Sequence, residues 1–446
     1  MFKYWKFFVL IASVASALMS YNEDFYFKIL PLLPLMYGVL YCCFVPSKIY
    51  VGAGFVTLNL VLFLRYIVYP IELKSSDFHI MGNAELVVYA VPLMILEMFV
   101  ILVTIYRYAG RSSIVNKVHH FTRYEQTNNI IPIICAIVLS FIVVFFPQAF
   151  LNERWIWESE LINEDVESVS GVYTQIATWC QFFILISLFT FFYNKYLKSK
   201  NNVWYWLSLI ILFVPCLSYS GHSRMSMLVP LIAYVFFVMK IYSTKVNKVI
   251  IIVGIYAIVA MVSLTLQKFF STMSLVDLDS EIEYSMLNAY FGGLDNVLIG
   301  LETYQKYGTS ALLLPIDSLR NAMGISKFFA GAESTVHLFN EVVYSRFFWS
   351  SMDKIPPTIY QGLMYFGPIL CFIPTLLMTR VVCHFDKLFA QSNNLFLSYL
   401  YLNFVIPIAW ALPGNFMHMT SRIFNYLIPL YLLIAINKSL FRRRNY

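Results

Sequence analysis

Charge is what this sequence has least of. Asp, Glu, Lys and Arg together make up 12% of the chain, half of the roughly 25% usual for a soluble globular protein. So little charge cannot cover a water-facing surface, which excludes a soluble domain. Cysteine is also scarce: seven residues (42, 43, 135, 180, 216, 371 and 383), all in or beside apolar runs, with no Cys-x-x-Cys. A disulfide framework and a soft-metal site are therefore excluded, and the cysteines read as small apolar residues. No polar stretch is long enough for a separate domain, no low-complexity run occurs, and the two halves show no internal repeat.

What fills the chain instead is hydrophobic residues, 60% of it, in runs that recur from end to end. They place spans near 4–20, 29–46, 50–70, 86–106, 130–150, 172–193, 204–220, 225–242, 249–266, 357–378, 393–412 and 422–437. Each is about 16–22 residues, enough for a hydrocarbon core of about 30 Å with modest tilt or thinning. The expected fold is all-α: a single polytopic membrane domain, 1–446, with about 12 transmembrane helices. Lys3, Lys6 and the triplet Ala15-Ser16-Ala17 are reminiscent of a cleaved leader, but a retained first helix is the reading taken, since polytopic proteins seldom need one removed. The tight connection Ser220-Gly221-His222-Ser223 separates two spans because the charges on either side demand it.

Charge, though scarce, is sorted. With the amino terminus in the cytoplasm, one side collects 19 of the 31 basic residues and only Glu125 and Asp386 of the acidic ones. Every short inward loop obeys the positive-inside rule, so both termini are expected in the cytoplasm. The net charge of +7 is then no sign of a nucleic-acid partner. It is the sum of a basic inner face, suited to anionic membrane lipids, and an acidic outer one.

One connection stands apart. Residues 267–356, roughly 90 in all, separate the ninth span from the tenth as a large extracytoplasmic loop, far beyond an ordinary connection. It is rich in Phe, Tyr, Leu and Met, which argues for order. Ile282–Tyr304 reads as an amphipathic helix broken at Gly292-Gly293, and Ser310–Ala330 as another. Both are expected on or in the outer interface, covering a cavity between spans. The outer side also holds five arginines: Arg65 inside its span, Arg224, Arg320, Arg346 and Arg422. An arginine near the membrane interior needs a partner or a cavity, and its planar fork suits phosphate or carboxylate oxygens. Converging arginines would bind a pyrophosphate or an acidic sugar; snorkelling or structural pairing is the plainer alternative. Glu97, deep in the fourth span, reads as a structural partner of Arg65 or of Gln175 and Gln181; a transporter would use it as an ion relay.

Two stretches carry a family likeness. Ser220-Gly221-His222-Ser223-Arg224-Met225-Ser226 opens a span with small residues and an arginine. The run from Ile355-Pro356-Pro357-Thr358 to Tyr365-Phe366-Gly367 opens the span after the large loop. With the span layout, they make the chain resemble the O-antigen polymerases (the Wzy type) and related oligosaccharide repeat-unit polymerases. Arg320 and Gly331 also match a motif of Arg, ten residues, then Gly associated with outer loops of some members, though no second copy occurs at Arg224 or Arg346.

The resemblance implies a bacterial inner (plasma) membrane location and a metal-independent glycosyl transfer on the outer face, with no cofactor. A growing glycan on undecaprenyl pyrophosphate moves onto a new lipid-linked repeat unit, building O-antigen, capsule or exopolysaccharide. Arginines would hold the pyrophosphate as its charge grows, and a general base would take the proton of the attacking hydroxyl. His337 is the first candidate base, followed by Glu333 and Asp295, with His222 as a further possibility. His119 and His120 fall on the cytoplasmic side. A chain-length regulator and a flippase are the protein partners implied. Two other classes stay open: a ligase that moves finished glycan to an outer acceptor, and a flippase or other transporter.

Overall fold

Apolar runs of this length satisfy their backbone within themselves, and the structure is accordingly helical. The computed structural model describes residues 2–46, 52–75, 80–110, 130–150, 153–155, 171–220, 225–242, 249–257, 259–260, 291–329, 331–347 and 355–444. Helices α1 (Phe2–Met19) and α2 (Leu32–Phe44) lead to α3 (Ala53–Phe63), which passes through a π turn, Leu64–Val68, into α4 (Tyr69–Ser75). Next come α5 (Val87–Gly110), α6 (Ile130–Phe145), α7 (Gly171–Ser199), α8 (Asn202–Phe213) and α9 (Met225–Ile241). The long connection supplies α10 (Leu294–Tyr307), α11 (Leu313–Leu319) and α12 (Thr335–Phe347). The chain then forms α13 (Thr358–Leu370), α14 (Ile373–Gln391), α15 (Leu395–Ala411) and α16 (Phe416–Arg422), and a second π turn, Ile423–Leu427, leads into α17 (Ile428–Arg444). Two three-residue strands, β1 (Glu153–Trp155) and β2 (Ser218–Ser220), pair antiparallel with Arg154 opposite Tyr219.

Among the described residues five helical segments are long and apolar enough to cross a membrane: Phe27–Phe44, Ala53–Ser75, Ala84–Tyr108, Gly171–Ser199 and Phe416–Leu440. A sixth is α13 with α14, bent by 113°. Each lies where the hydropathy places a span, and shorter apolar helices occupy five more of those places. The bend was not expected, since residues 357–378 read as one span. Gly367, at φ +73° just ahead of Pro368, breaks the helix there.

The chain groups into two compact units, each gathered from three stretches. The first holds Met1–Asn116, Asp279–Lys387 and Pro407–Arg422. In it α1 packs on α2 and α2 on α5, around the buried rings of Tyr37, Tyr41 and Tyr66. Helix α10 begins at the expected Gly292-Gly293 break, where Gly292 takes φ +55°; residues 282–290 lie outside the described ones. Residues 291–301 are all buried, with α5, α12 and α13 packed around them. A helix so polar tolerates burial because its polar groups are tied down. Asp295 accepts from the backbone N–H groups of Met81 (2.8 Å) and Gly82 (2.9 Å), and Asn296 donates to the Ile355 carbonyl at 3.2 Å. Gly300 lies flat on Tyr360: a methyl group there would stand 2.8 Å from the Tyr360 Cβ. The second expected helix, Ser310–Ala330, is shorter than its pattern: α11 ends at Leu319, and turns lead to a 3-10 turn at Ser326–Phe329.

In the second unit α7 packs against α6 and α8. In its π turn the Asn425 carbonyl accepts from Gln175 (2.6 Å) and Trp179 (2.7 Å). The buried Lys240 donates to the Phe389 and Ser392 carbonyls and to Ser398 Oγ, closing the turn before α15.

Candidate functional site

Unit one holds three polar groupings, and the predicted residues divide among them. The first is sealed. Arg65 sits in the π turn after α3 and is wholly buried, with its Nη2 2.8 Å from Glu97 Oε2 on α5. The approach is an ion pair rather than a hydrogen bond along an N–H axis. Tyr66 and Thr375 donate hydroxyls to the same carboxylate at 3.4 and 3.3 Å, and Arg65 Nη1 donates to the Pro413 carbonyl at 3.2 Å. Of the partners the sequence offered Glu97, the structure uses Arg65; Gln175 is engaged at Asn425. Removing one member of so buried a pair leaves the other charge stranded, at a cost of about 3–5 kcal/mol.

The second grouping joins the long connection to α13. Asp317 on α11 is buried and accepts the Thr335 N–H at 3.2 Å, the Thr335 hydroxyl and the Tyr365 hydroxyl at 2.6 Å. Gln361 donates to Thr335 Oγ1 (3.1 Å) and Asn415 Oδ1 (3.3 Å) and accepts from Phe416 N–H at 2.7 Å. Burial pushes the Asp317 carboxyl above its usual value; the Thr335 and Tyr365 bonds and the Arg320 charge pull the other way. Arg320 itself, half-buried at the end of α11, donates to the Ala332 carbonyl at 3.1 Å. It thereby closes the loop that ends beside Gly331, the glycine of the ten-residue motif.

The third grouping is open. Helices α10 and α12 frame a cleft of about 580 Å³ lined by Asn83, Glu302, Gln305, Lys306, Val342 and Ser345. Glu302 accepts the Asn83 N–H, and Glu341 meets Tyr307 (2.6 Å) and Lys306 (3.1 Å). The Tyr307 bond and then the Lys306 bond hold the Glu341 carboxyl below its usual range. His337 lies in the first turn of α12, half-buried, its N–H capped by Ser334 Oγ at 3.1 Å. His337, Glu341 and Ser345 recur every four residues, so one helix face carries all three, over about 12 Å of rise. Glu333 is exposed just ahead of this helix.

The structure thus brings Arg320, Glu333 and His337 to the amino-terminal end of α12. It keeps Arg65 apart in the sealed pair and holds Asp295 by two backbone N–H groups. Arg422 is half-buried at the end of α16, one turn beyond His418. Arg224 and His222 lie outside the described residues, as does the side chain of Arg346.

No family model, curated protein or solved structure matches this chain.

Several residues escaped the sequence reading. Asp317 had a usable signal, a lone carboxylate inside the apolar run Leu-Leu-Pro-Ile-Asp-Ser-Leu. Thr358, Tyr360, Gln361 and Tyr365 all stand in the Pro-rich stretch that carries the family likeness, and the spacing of Thr358, Gln361 and Tyr365 puts those three on one helix face. Glu341 had the four-residue step from His337. Among the described residues no group of three or more His, Cys, Asp or Glu is arranged to hold a metal ion.

Proposed function

We propose that this protein is a membrane-embedded polymerase of lipid-linked oligosaccharide repeat units. The observation that carries the reading is the folded part of the long connection, where α10 and α12 frame an open polar cleft lined by Asn83, Glu302, Gln305, Lys306 and Ser345, with Glu341 and His337 one and two turns before Ser345 on the same face of α12. Amides, a hydroxyl, a carboxylate and an ammonium are the groups that hydrogen-bond sugar hydroxyls. The about twelve spans and the cytoplasmic termini belong to the same proposal and put this cleft on the outer face.

In the transfer, the bond between the anomeric carbon of the growing glycan and its pyrophosphate oxygen breaks. A bond from that carbon to a hydroxyl oxygen of the new repeat unit forms. His337 takes the hydroxyl proton, with Glu333 as the alternative base. Arg320, with Arg422, receives the pyrophosphate as it leaves with an added negative charge. Asp295, its carboxylate engaged by two backbone N–H groups, positions α10. Arg65, sealed against Glu97, holds the fold and takes no part in the transfer.

A transporter is the second reading, and the 113° break between α13 and α14 favours it, because broken helices at membrane depth commonly line transport sites. Purified protein in detergent, given lipid-linked repeat units and no gradient, separates the two. Elongation in excess EDTA is the expected result. A product transferred only onto a different outer acceptor would make it a ligase, and no transfer with the cognate repeat unit would remove the enzyme reading.

A further inference from the structure

A second cavity of unit one is unrelated to the cleft. It measures about 490 Å³ and lies between α5 and α14. The α5 wall presents Phe99, Val103 and Arg107; the opposite wall presents Phe372, Leu376 and Arg380. Both walls read aromatic, aliphatic, arginine in steps of four, and Lys387 adds a third basic group beyond. Four-residue steps keep each trio on one helix face, and eight residues rise about 12 Å. The cavity is therefore graded, apolar at one end and basic at the other. Among the described residues neither arginine is in a salt bridge. Asp386, the buried carboxylate next to Lys387 in the chain, is engaged by the Gly54 and Phe55 N–H groups, both at 3.2 Å. Helix α5 meets the basic end with its carboxyl terminus, which offers carbonyls and not N–H groups, so side chains alone can hold an anion there.

We propose that this cavity binds a membrane lipid with an anionic phosphate headgroup, the headgroup between Arg107 and Arg380 and an acyl chain along Phe99, Val103, Phe372 and Leu376. A free phosphate would use the basic end but has no need of an apolar wall about as long as several methylenes. The arginine fork matches phosphate oxygens. The basic end belongs to the side where the short loops concentrate lysine and arginine, the side that faces anionic lipid.

The test is native mass spectrometry of the full-length protein in mild detergent, titrated with phosphatidylglycerol or phosphatidylcholine. Wild type retains phosphatidylglycerol in preference. Each basic group near a membrane surface contributes about fivefold, so Arg107→Ala with Arg380→Ala weakens retention about 25-fold. The paired Lys variants stay within about fivefold of wild type, and Lys198→Ala, an exposed basic residue elsewhere, is unchanged. Should the double Ala variant be lost in purification, Arg380→Gln alone carries the test at about fivefold. Equal retention by the double Ala variant, or equal retention of both lipids by wild type, overturns the proposal. Displacement by millimolar inorganic phosphate does the same and makes the cavity a site for soluble anions.

Discussion

Two ion pairs in unit one are built from the same chemistry and do opposite things. Arg65–Glu97 has both side chains at 0% exposure; Lys306–Glu341 has them at 51% and 44%. The first pair gave up its water on folding, so each charge depends on the other and on Tyr66, Thr375 and the Pro413 carbonyl. The second remains solvated, contributes little to stability, and is free to rearrange around a ligand. Burial rather than charge separates a post that holds the fold from a surface that can bind. The arginine that looked most anomalous in the sequence is therefore the one least able to meet a substrate.

The comparison breaks first at Arg65. Arg65→Ala should lower stability by about 3–5 kcal/mol, read by thermal unfolding in detergent through tryptophan fluorescence, while paired leucines at 65 and 97 recover most of that loss. An Arg65→Ala protein as stable as wild type would mean that water reaches the pair. Next comes Asp317. Asp317→Ala leaves the Thr335 N–H and the Tyr365 hydroxyl without their acceptor, a loss of about 1–3 kcal/mol.

The pH dependence then sharpens the contrast, because the two carboxylates have opposite signs. Asp317 is raised by burial, so its stabilising contribution is full below the usual aspartate value of 3.8 and is lost as pH rises through the raised value. Glu341 is lowered by Tyr307 and Lys306, so its contribution is present above the usual 4.5 and is lost as pH falls through the lowered value. Melts of Asp317→Asn and Glu341→Gln across acid pH should diverge from wild type in opposite directions; slopes of one sign would refute the assignment. The smallest effect belongs to Lys306→Ala, which should leave the melting temperature unchanged.

Much of this was legible in the sequence, for reasons that particular residues show. A carboxylate deep in an apolar helix needs a partner, so Glu97 pointed to Arg65 or to Gln175 and Gln181, and the structure pairs it with Arg65. Gly292-Gly293 announced the start of α10 because a positive φ there costs glycine nothing. What stayed hidden depended on tertiary partners. The polar composition of α10 looked interfacial, and only the Met81 and Gly82 N–H groups and the Ile355 carbonyl explain how it is buried. The role of Asp317 stayed hidden because its partners, Thr335 and Tyr365, lie 18 and 48 residues away. Gly367-Pro368 signalled a break, yet the unbroken hydropathy around it read as one span.

The most direct measurement is chain elongation in detergent by two variants side by side. One carries leucine at both 65 and 97, and the other is His337→Ala. The expected result is that the leucine pair, once folded, elongates lipid-linked repeat units near the wild-type rate, while His337→Ala is as stable as wild type and falls by a factor of about 10²–10⁴. A folded leucine pair that cannot elongate, beside a His337→Ala protein that can, would place the chemistry at the sealed pair and contradict the division drawn between these two regions.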